Sequence, residues 1–186
     1  GIAYMTGGDS WNWDADPGTL TVSDFPAPTC ATCHMSGFGT ATTTHDVGDR
    51  LTWYLFSSIS ERRPDWESNL SRMQGVCSAC HNDEFIAALY ADADKATAAV
   101  NAWVNESNAI VQPLKENGLV TEAQFDEPID FTLFETWHHW GRTAKFGSWM
   151  QGADYVQWHG AYEILSDRAD LREMPAEKLQ QPEKGE

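Results

Sequence analysis

Four cysteines are the residues best suited to chemistry in this chain. They fall without remainder into two copies of one pattern, Cys30-Ala31-Thr32-Cys33-His34 and Cys77-Ser78-Ala79-Cys80-His81. Cys-x-x-Cys-His sets two thiols close enough to bond the two vinyl-derived carbons of one porphyrin, and the imidazole that follows reaches the iron. A disulfide, a redox dithiol and a zinc site also use Cys-x-x-Cys. They fit less well, because a thioredoxin-like dithiol wants a βαβ context that is absent and a zinc ribbon has no need of a histidine directly after each second cysteine. The motifs therefore predict two covalent haems c, one on Cys30 and Cys33 and one on Cys77 and Cys80, with His34 and His81 as proximal iron ligands. Haem is attached to such motifs outside the cytoplasm, so a periplasmic or equivalent extracytoplasmic compartment is expected.

Four further histidines, His45, His138, His139 and His159, compete for the far side of the irons. An imidazole on each side makes a six-coordinate electron carrier, whereas an open sixth position admits a substrate. His45 follows the first motif by eleven residues in a Thr-rich loop, within reach of a nearby iron, and is expected as a distal ligand. His138 and His139 are adjacent, so on a helix they point about 100° apart and cannot serve one iron together. One is expected as a ligand and the other as its hydrogen-bonding neighbour. His159 shares a helical face with Tyr155 and Tyr162, and ligand and pocket roles are both open to it. Met35 is read as packing on the porphyrin, since it lies on the proximal side of the ring.

The elements that must hold these residues are mostly helical. Residues 1–29, with two tryptophans, Gly and Pro throughout and no Lys or Arg, read as ordered irregular structure in which Trp11 and Trp13 fold against the body. Residues 36–49 read as a Gly/Thr-rich loop. Leu51, Tyr54, Leu55 and Ile59 suggest a short helix over 50–60, and Trp66, Leu70 and Met73 a second one leading into the second motif after Pro64. From Asp83 to about Asn117 an Ala-rich stretch predicts a long helix, with Pro113 inside it and Gly118 at its end. In residues 131–166 aromatic side chains interleave with Gly141, Gly147, Gly152 and Gly160. Glycine costs a helix about 1 kcal/mol relative to alanine, so the pattern suggests a backbone that approaches something large and flat, such as a porphyrin face. The expected organisation is a dihaem c-type cytochrome region over 1–130, an aromatic, Gly-rich helical segment over 131–166 and a charged surface tail over 167–186. The fold class is mainly α, a multihaem cytochrome c with long C-terminal helices and irregular haem-binding loops.

Charge narrows the partners. The chain has 186 residues with 12 Lys and Arg against 28 Asp and Glu, a net charge of −16 that repels nucleic acid and anionic lipid. No apolar run approaches the roughly 20 residues that span a bilayer. Ten acids lie between Asp83 and Asp130 against Lys95 and Lys115, either a solvated face or a docking surface for a basic electron-transfer partner. The first residue is Gly, with no basic and apolar leader before it, which suggests a processed product or a piece of a longer polypeptide.

Four elements in order carry a family resemblance: Gly1-Ile2-Ala3-Tyr4-Met5-Thr6-Gly7; Ala27-Pro28-Thr29 leading into the first motif with His45 behind it; the second motif; and Asp154-Tyr155-x-x-Trp158-His159-Gly160-x-Tyr162-Glu163. From Gly1 to about Leu165 the sequence resembles the C-terminal part of the hydroxylamine oxidoreductase family, octahaem cytochromes that oxidise hydroxylamine or hydrazine. The resemblance implies a helical, trimeric enzyme whose bis-histidine haems carry electrons from a five-coordinate catalytic haem to an acceptor such as a soluble cytochrome c. It also implies that Tyr155 is the tyrosine bonded to the catalytic haem of a neighbouring subunit. The two motifs correspond to the family's last two haems, and the others are expected on a second polypeptide or beyond this sequence. A dihaem electron-transfer module, or a reductive relative acting on nitrite or hydroxylamine, is the alternative.

Overall fold

The computed structural model describes residues 28–180, with side chains to 175. The expectations for residues 1–27, including the placement of Trp11 and Trp13, lie outside the described residues. In chain order the elements are α1 (Cys30–His34), β1 (Trp53–Tyr54), β2 (Glu61–Arg62), α2 (Trp66–Cys77), α3 (Asp83–Glu116), α4 (Pro128–Glu135), a π-helical turn (Thr136–Gly141), α5 (Arg142–Trp149), α6 (Ala153–Val156), a second π-helical turn (Gln157–Ala161) and α7 (Tyr162–Gln180). The mainly α class is as the sequence predicts. The chain divides into two compact units, one comprising the described residues up to Thr52 with Arg63–Ile86, the other Trp53–Arg62 with the residues from Ala87 onward.

The first unit holds both Cys-x-x-Cys-His motifs. α2 begins just after Pro64, and its Asn69 donates from Nδ2 to the Leu51 carbonyl at 2.7 Å, tying the helix to the chain that leaves the loop. The 36–49 loop packs on the helix that feeds the second motif through two glycines. Gly39 has φ +65°, and a Cβ there would fall 2.1 Å from the Gly75 carbonyl oxygen. Thr40 N–H donates to that same oxygen at 3.1 Å. The contact requires both the left-handed backbone and the missing side chain.

α3 shows why a long Ala-rich helix starts and stops where it does. Asn82 Oδ1 accepts from Phe85 N at 2.9 Å, and Asp83 and Glu84 occupy the first turn, complementing its free N–H groups. At the far end Leu119 N donates to Leu114 O at 2.9 Å and Gly118 N to Lys115 O at 3.0 Å, with Gly118 at φ +70°. These two bonds across a left-handed glycine form the Schellman termination. Pro113 stands one turn before this end, so the hydrogen bond it removes falls where the helix is already finishing. Two apolar clusters form the core, Val111, Leu114, Val120, Ile129 and Leu171 in one and Val100, Val104, Ala144 and Ile164 in the other.

Two expectations are corrected here. Residues 53–62 form a hairpin, with Trp53 opposite Arg62 and Tyr54 opposite Glu61, rather than a helix over 50–60. Side chains from elsewhere hold it: Asn101 accepts from Ser60 N at 2.9 Å and donates to Ser60 O at 2.8 Å, and Asp94 accepts from Trp53 Nε1 at 3.0 Å and from Arg62 at 2.5 Å. Local spacing does not register such long-range bonds, which outweigh a weak helical stripe. The stretch from 167, read as a charged tail, belongs to α7 as far as Gln180. Leu171 is fully buried, and Arg168 and Arg172 both reach Glu106 on α3, so charge here serves an anchor rather than solubility.

Candidate haem centres

Each motif is wound as a helical turn. At the first, Thr29 caps α1 with its Oγ1 accepting from Thr32 N at 3.3 Å, while Thr32 Oγ1 accepts from Thr29 N at 3.3 Å. A residue between the two cysteines thus completes the cap. In this turn Cys30, Cys33 and His34, at i, i+3 and i+4, share one face. At the second motif α2 ends at Cys77, and the turn continues as Cys80 N and His81 N both donate to Cys77 O, at 3.1 and 3.0 Å. None of the four cysteines is in a disulfide, with Cys30 and Cys80 exposed and Cys33 and Cys77 half-buried. The His81 ring stacks on Phe85, 4.3 Å between centroids and 15° between planes.

Electrostatics favours the forms that ligation needs. Burial pulls the His34 imidazole below its ordinary value and Arg50 adds to this, which keeps the ring neutral and its nitrogen lone pair available. Burial raises the Cys33 thiol, helped by Cys77 and Cys30 and opposed by Arg50, so thiols of both motifs lie within electrostatic reach of one another.

Arg50, which lies outside both motifs, organises the first centre. It is 2% exposed and donates to three backbone carbonyls, Cys33 O at 2.6 Å, Ser36 O at 2.5 Å and Thr42 O at 2.9 Å. One guanidinium therefore fastens the motif to the start and the middle of the loop that follows it. Its Nε–H is buried and without a partner among the described residues, a cost that a porphyrin propionate carboxylate would remove. The signal for it lay in the sequence: no Lys or Arg precedes Arg50. The accessible thiols, the neutral proximal imidazole and this buried donor fit a haem c at the first motif, and the matching turn fits one at the second.

The remaining candidates are distributed between the units. His45 is exposed in the first unit, in a loop pinned where Thr44 N donates to Met35 O at 2.9 Å. Met35 itself is half-buried at the end of α1. His138 and His139 lie in the first π-helical turn, their ring centroids 5.1 Å apart at 75°. His138 stacks on Phe134 at 4.4 Å, and its Nε2 is 2.8 Å from Arg142 Nη1. A guanidinium only donates, so that nitrogen is the acceptor and its lone pair is engaged. Burial and Arg142 both lower the basicity of His138. His139 is exposed. His159, also exposed, sits in the second π-helical turn with its ring 5.7 Å from that of Tyr155.

Tyr155 is 60% exposed, and Trp158, Tyr162 and Leu165 continue the same open face at 66%, 62% and 49%. Two glycines make room for its side chain, since a Cβ on Gly147 would lie 2.8 Å from Tyr155 Cβ and one on Gly152 3.3 Å from its ring. These glycines correct the expectation of a porphyrin against the backbone. Gly160 faces Ala144, with 2.6 Å to its Cβ, and Gly141 faces Thr136 O and Val100, so three of the four let helix pack on helix and turn. The acidic face is also partly spent on folding: Asp94 pairs with Arg62, Glu106 with Arg168 and Arg172, and Asp130 with Lys115. Among the described residues no helix is long and apolar enough to cross a membrane.

With two such motifs in place, comparison gives the class. A family model described as seven times multi-haem cytochrome CxxCH matches residues 1–128, and the chain belongs to that family of multihaem c-type cytochromes. Its fold is shared with a hypothetical multihaem protein, at 21% identity and a TM-score of 0.73 over 84% of this chain and 46% of the other. It is also shared with a reducing HAO-like protein complex of Kuenenia stuttgartiensis, at 12% identity and a TM-score of 0.65 over 91% of this chain and 49% of the other. The chain spans just under half the length of both. None of the curated proteins compared with it matches. The chain is a multihaem cytochrome with covalently bound haem c and a role in electron transfer.

Proposed function

We propose that the chain is part of a multihaem oxidoreductase of the hydroxylamine oxidoreductase type, working outside the cytoplasm as a trimer or together with chains that carry further haems. Bound haem supplies one-electron chemistry at iron. Cys30, Cys33, Cys77 and Cys80 hold the two groups covalently, and His34 and His81 ligate from the proximal side. His45 is the distal ligand offered by the first unit. Of the adjacent pair His139 is the ligand, because Arg142 already occupies His138 Nε2 and leaves that ring a positioning role. A haem held by imidazoles on both sides would have no place for substrate, so this chain would collect electrons from hydroxylamine or hydrazine oxidised elsewhere and pass them toward a soluble cytochrome c.

The observation that carries this reading is Tyr155. A phenol whose Cβ and ring edge lie close against Gly147 and Gly152, yet 60% exposed on an aromatic face, is presented outward. That placement supports a bond from Tyr155 to the catalytic haem of a neighbouring chain. Denaturing gels of the native complex test it: chains joined through haem should stay joined after boiling and reduction, and Tyr155→Phe should separate them and abolish oxidation. Clean separation of wild-type chains would reject the cross-link. It would favour a second reading, a reductive relative, which the reducing HAO-like neighbour supports.

A further inference from the structure

We propose that Arg50 sets the reduction potential of the haem on the first motif, holding it above that of the haem on the second, so that the Cys30–His34 end of the pair keeps the electron. The inference rests on both motifs carrying haem c, and deepens the electron-transfer reading by giving the pair a direction.

Three observations lead there. Arg50 is a buried cation bonded to the motif itself, through Cys33 O at 2.6 Å. All three of its acceptors are neutral carbonyls, and no carboxylate pairs with it among the described residues. The acids nearest in sequence are otherwise engaged, Asp49 with Arg72 at 3.1 Å and Asp46 with Gly48 N at 2.8 Å. The second motif has the opposite surroundings, for Asp83 and Glu84, two and three residues after His81, occupy the first turn of α3.

The sign follows from charge. Reduction adds one electron to the iron centre and lowers its net positive charge by one, so a fixed cation nearby favours the ferrous form and fixed anions favour the ferric form. Burial keeps the Arg50 charge from being screened. One buried unit charge acting across about 10 Å at an effective dielectric of about 20 changes a one-electron equilibrium on the order of tenfold. A propionate paired with Nε–H would not reverse the sign, because removing Arg50 would then leave that anion unpaired beside the iron. Arginine suits the site because Nη1 and Nη2 serve three carbonyls from a planar fork while Nε–H is left over for a propionate.

Spectroelectrochemical titration of the haem-loaded chain tests this, reading the two haems as two one-electron waves. Arg50→Met should lower the upper wave by about tenfold in the ferrous to ferric ratio, roughly 59 mV, and move the lower wave by distinctly less. Arg50→Lys, which keeps the charge and loses the fork, should hold the upper wave within about twofold of wild type, about 18 mV on the same scale. Equal shifts in both variants would assign Arg50 to loop geometry, and no shift in either would remove its role; both outcomes overturn the proposal. A third variant, Cys77→Ala with Cys80→Ala, is independent of whether Arg50→Met folds. It removes the second haem and should retain the upper wave, and retention of the lower one also overturns the assignment. A wild-type chain with no haem waves would sink the haem reading itself, a failure distinct from these.

Discussion

Lys145 lies on α5 with no exposed surface, and its ammonium donates to Ser57 O at 3.0 Å and Ser60 Oγ at 2.8 Å, with no carboxylate in contact among the described residues. Burial, with Arg142 adding to it, lowers its pKa from 10.5 to about 8. At about 1.4 kcal/mol per unit, the charged form costs the native state on the order of 3 kcal/mol at neutral pH. The sign is set by proton counts. Between pH 8 and 10.5 the unfolded chain still binds the proton that the native chain has released, so stability at this site rises with pH and the cost is relieved across that window. Lys145→Met removes the charge, keeps the bulk and leaves two acceptors without their donor, at about 1 kcal/mol each. At pH 7 the variant should therefore be as stable as wild type or up to about 1 kcal/mol more so. The assay is urea unfolding of the haem-loaded protein and its variant at pH 7 and 10.5. The difference between them cancels the other titrating groups, and it should move by about 3 kcal/mol in favour of wild type as pH rises. Parallel stability curves would refute the argument and show that solvent or an anion reaches Nζ.

The other expectations concern ligands and packing. His45→Ala should convert one low-spin haem to high spin, read in the visible spectrum and by electron paramagnetic resonance, and His139→Ala should do the same where the neighbouring haem is present, while His138→Ala should leave the spin state low. A reversed result for the adjacent pair would mean that Arg142 swings away from His138 when haem is bound. Gly160→Ala should cost about 1–3 kcal/mol in unfolding experiments, because its methyl would meet Ala144 Cβ at 2.6 Å and Tyr155 O at 2.7 Å. Gly118→Ala meets no neighbour within 4 Å, so only the strain of a left-handed backbone, about 1 kcal/mol, should appear there.

What could be read from the sequence follows from the range of each interaction. Haem attachment is encoded in five consecutive residues, so the two motifs declare themselves without any knowledge of the fold. α3 was legible for a similar reason: Asn82, the Ala-rich run and Gly118 act within a turn or two of where they stand. The 53–62 hairpin was not, since Asn101, Asp94 and Lys145, which hold it, are 32 to 88 residues away. The same limit hid the glycines. Their number showed that the backbone had to approach something, but only the fold shows that Gly147 meets Tyr155 and Gly160 meets Ala144. α7 misled because a charged helix and a charged tail look alike until Glu106 is placed opposite Arg168 and Arg172.

The most direct test is the intact mass of the purified chain under denaturing and reducing conditions, which strips every group not held by a covalent bond. Two complete Cys-x-x-Cys-His turns predict the polypeptide mass plus two haems c, and a gain of one haem or none would contradict the account.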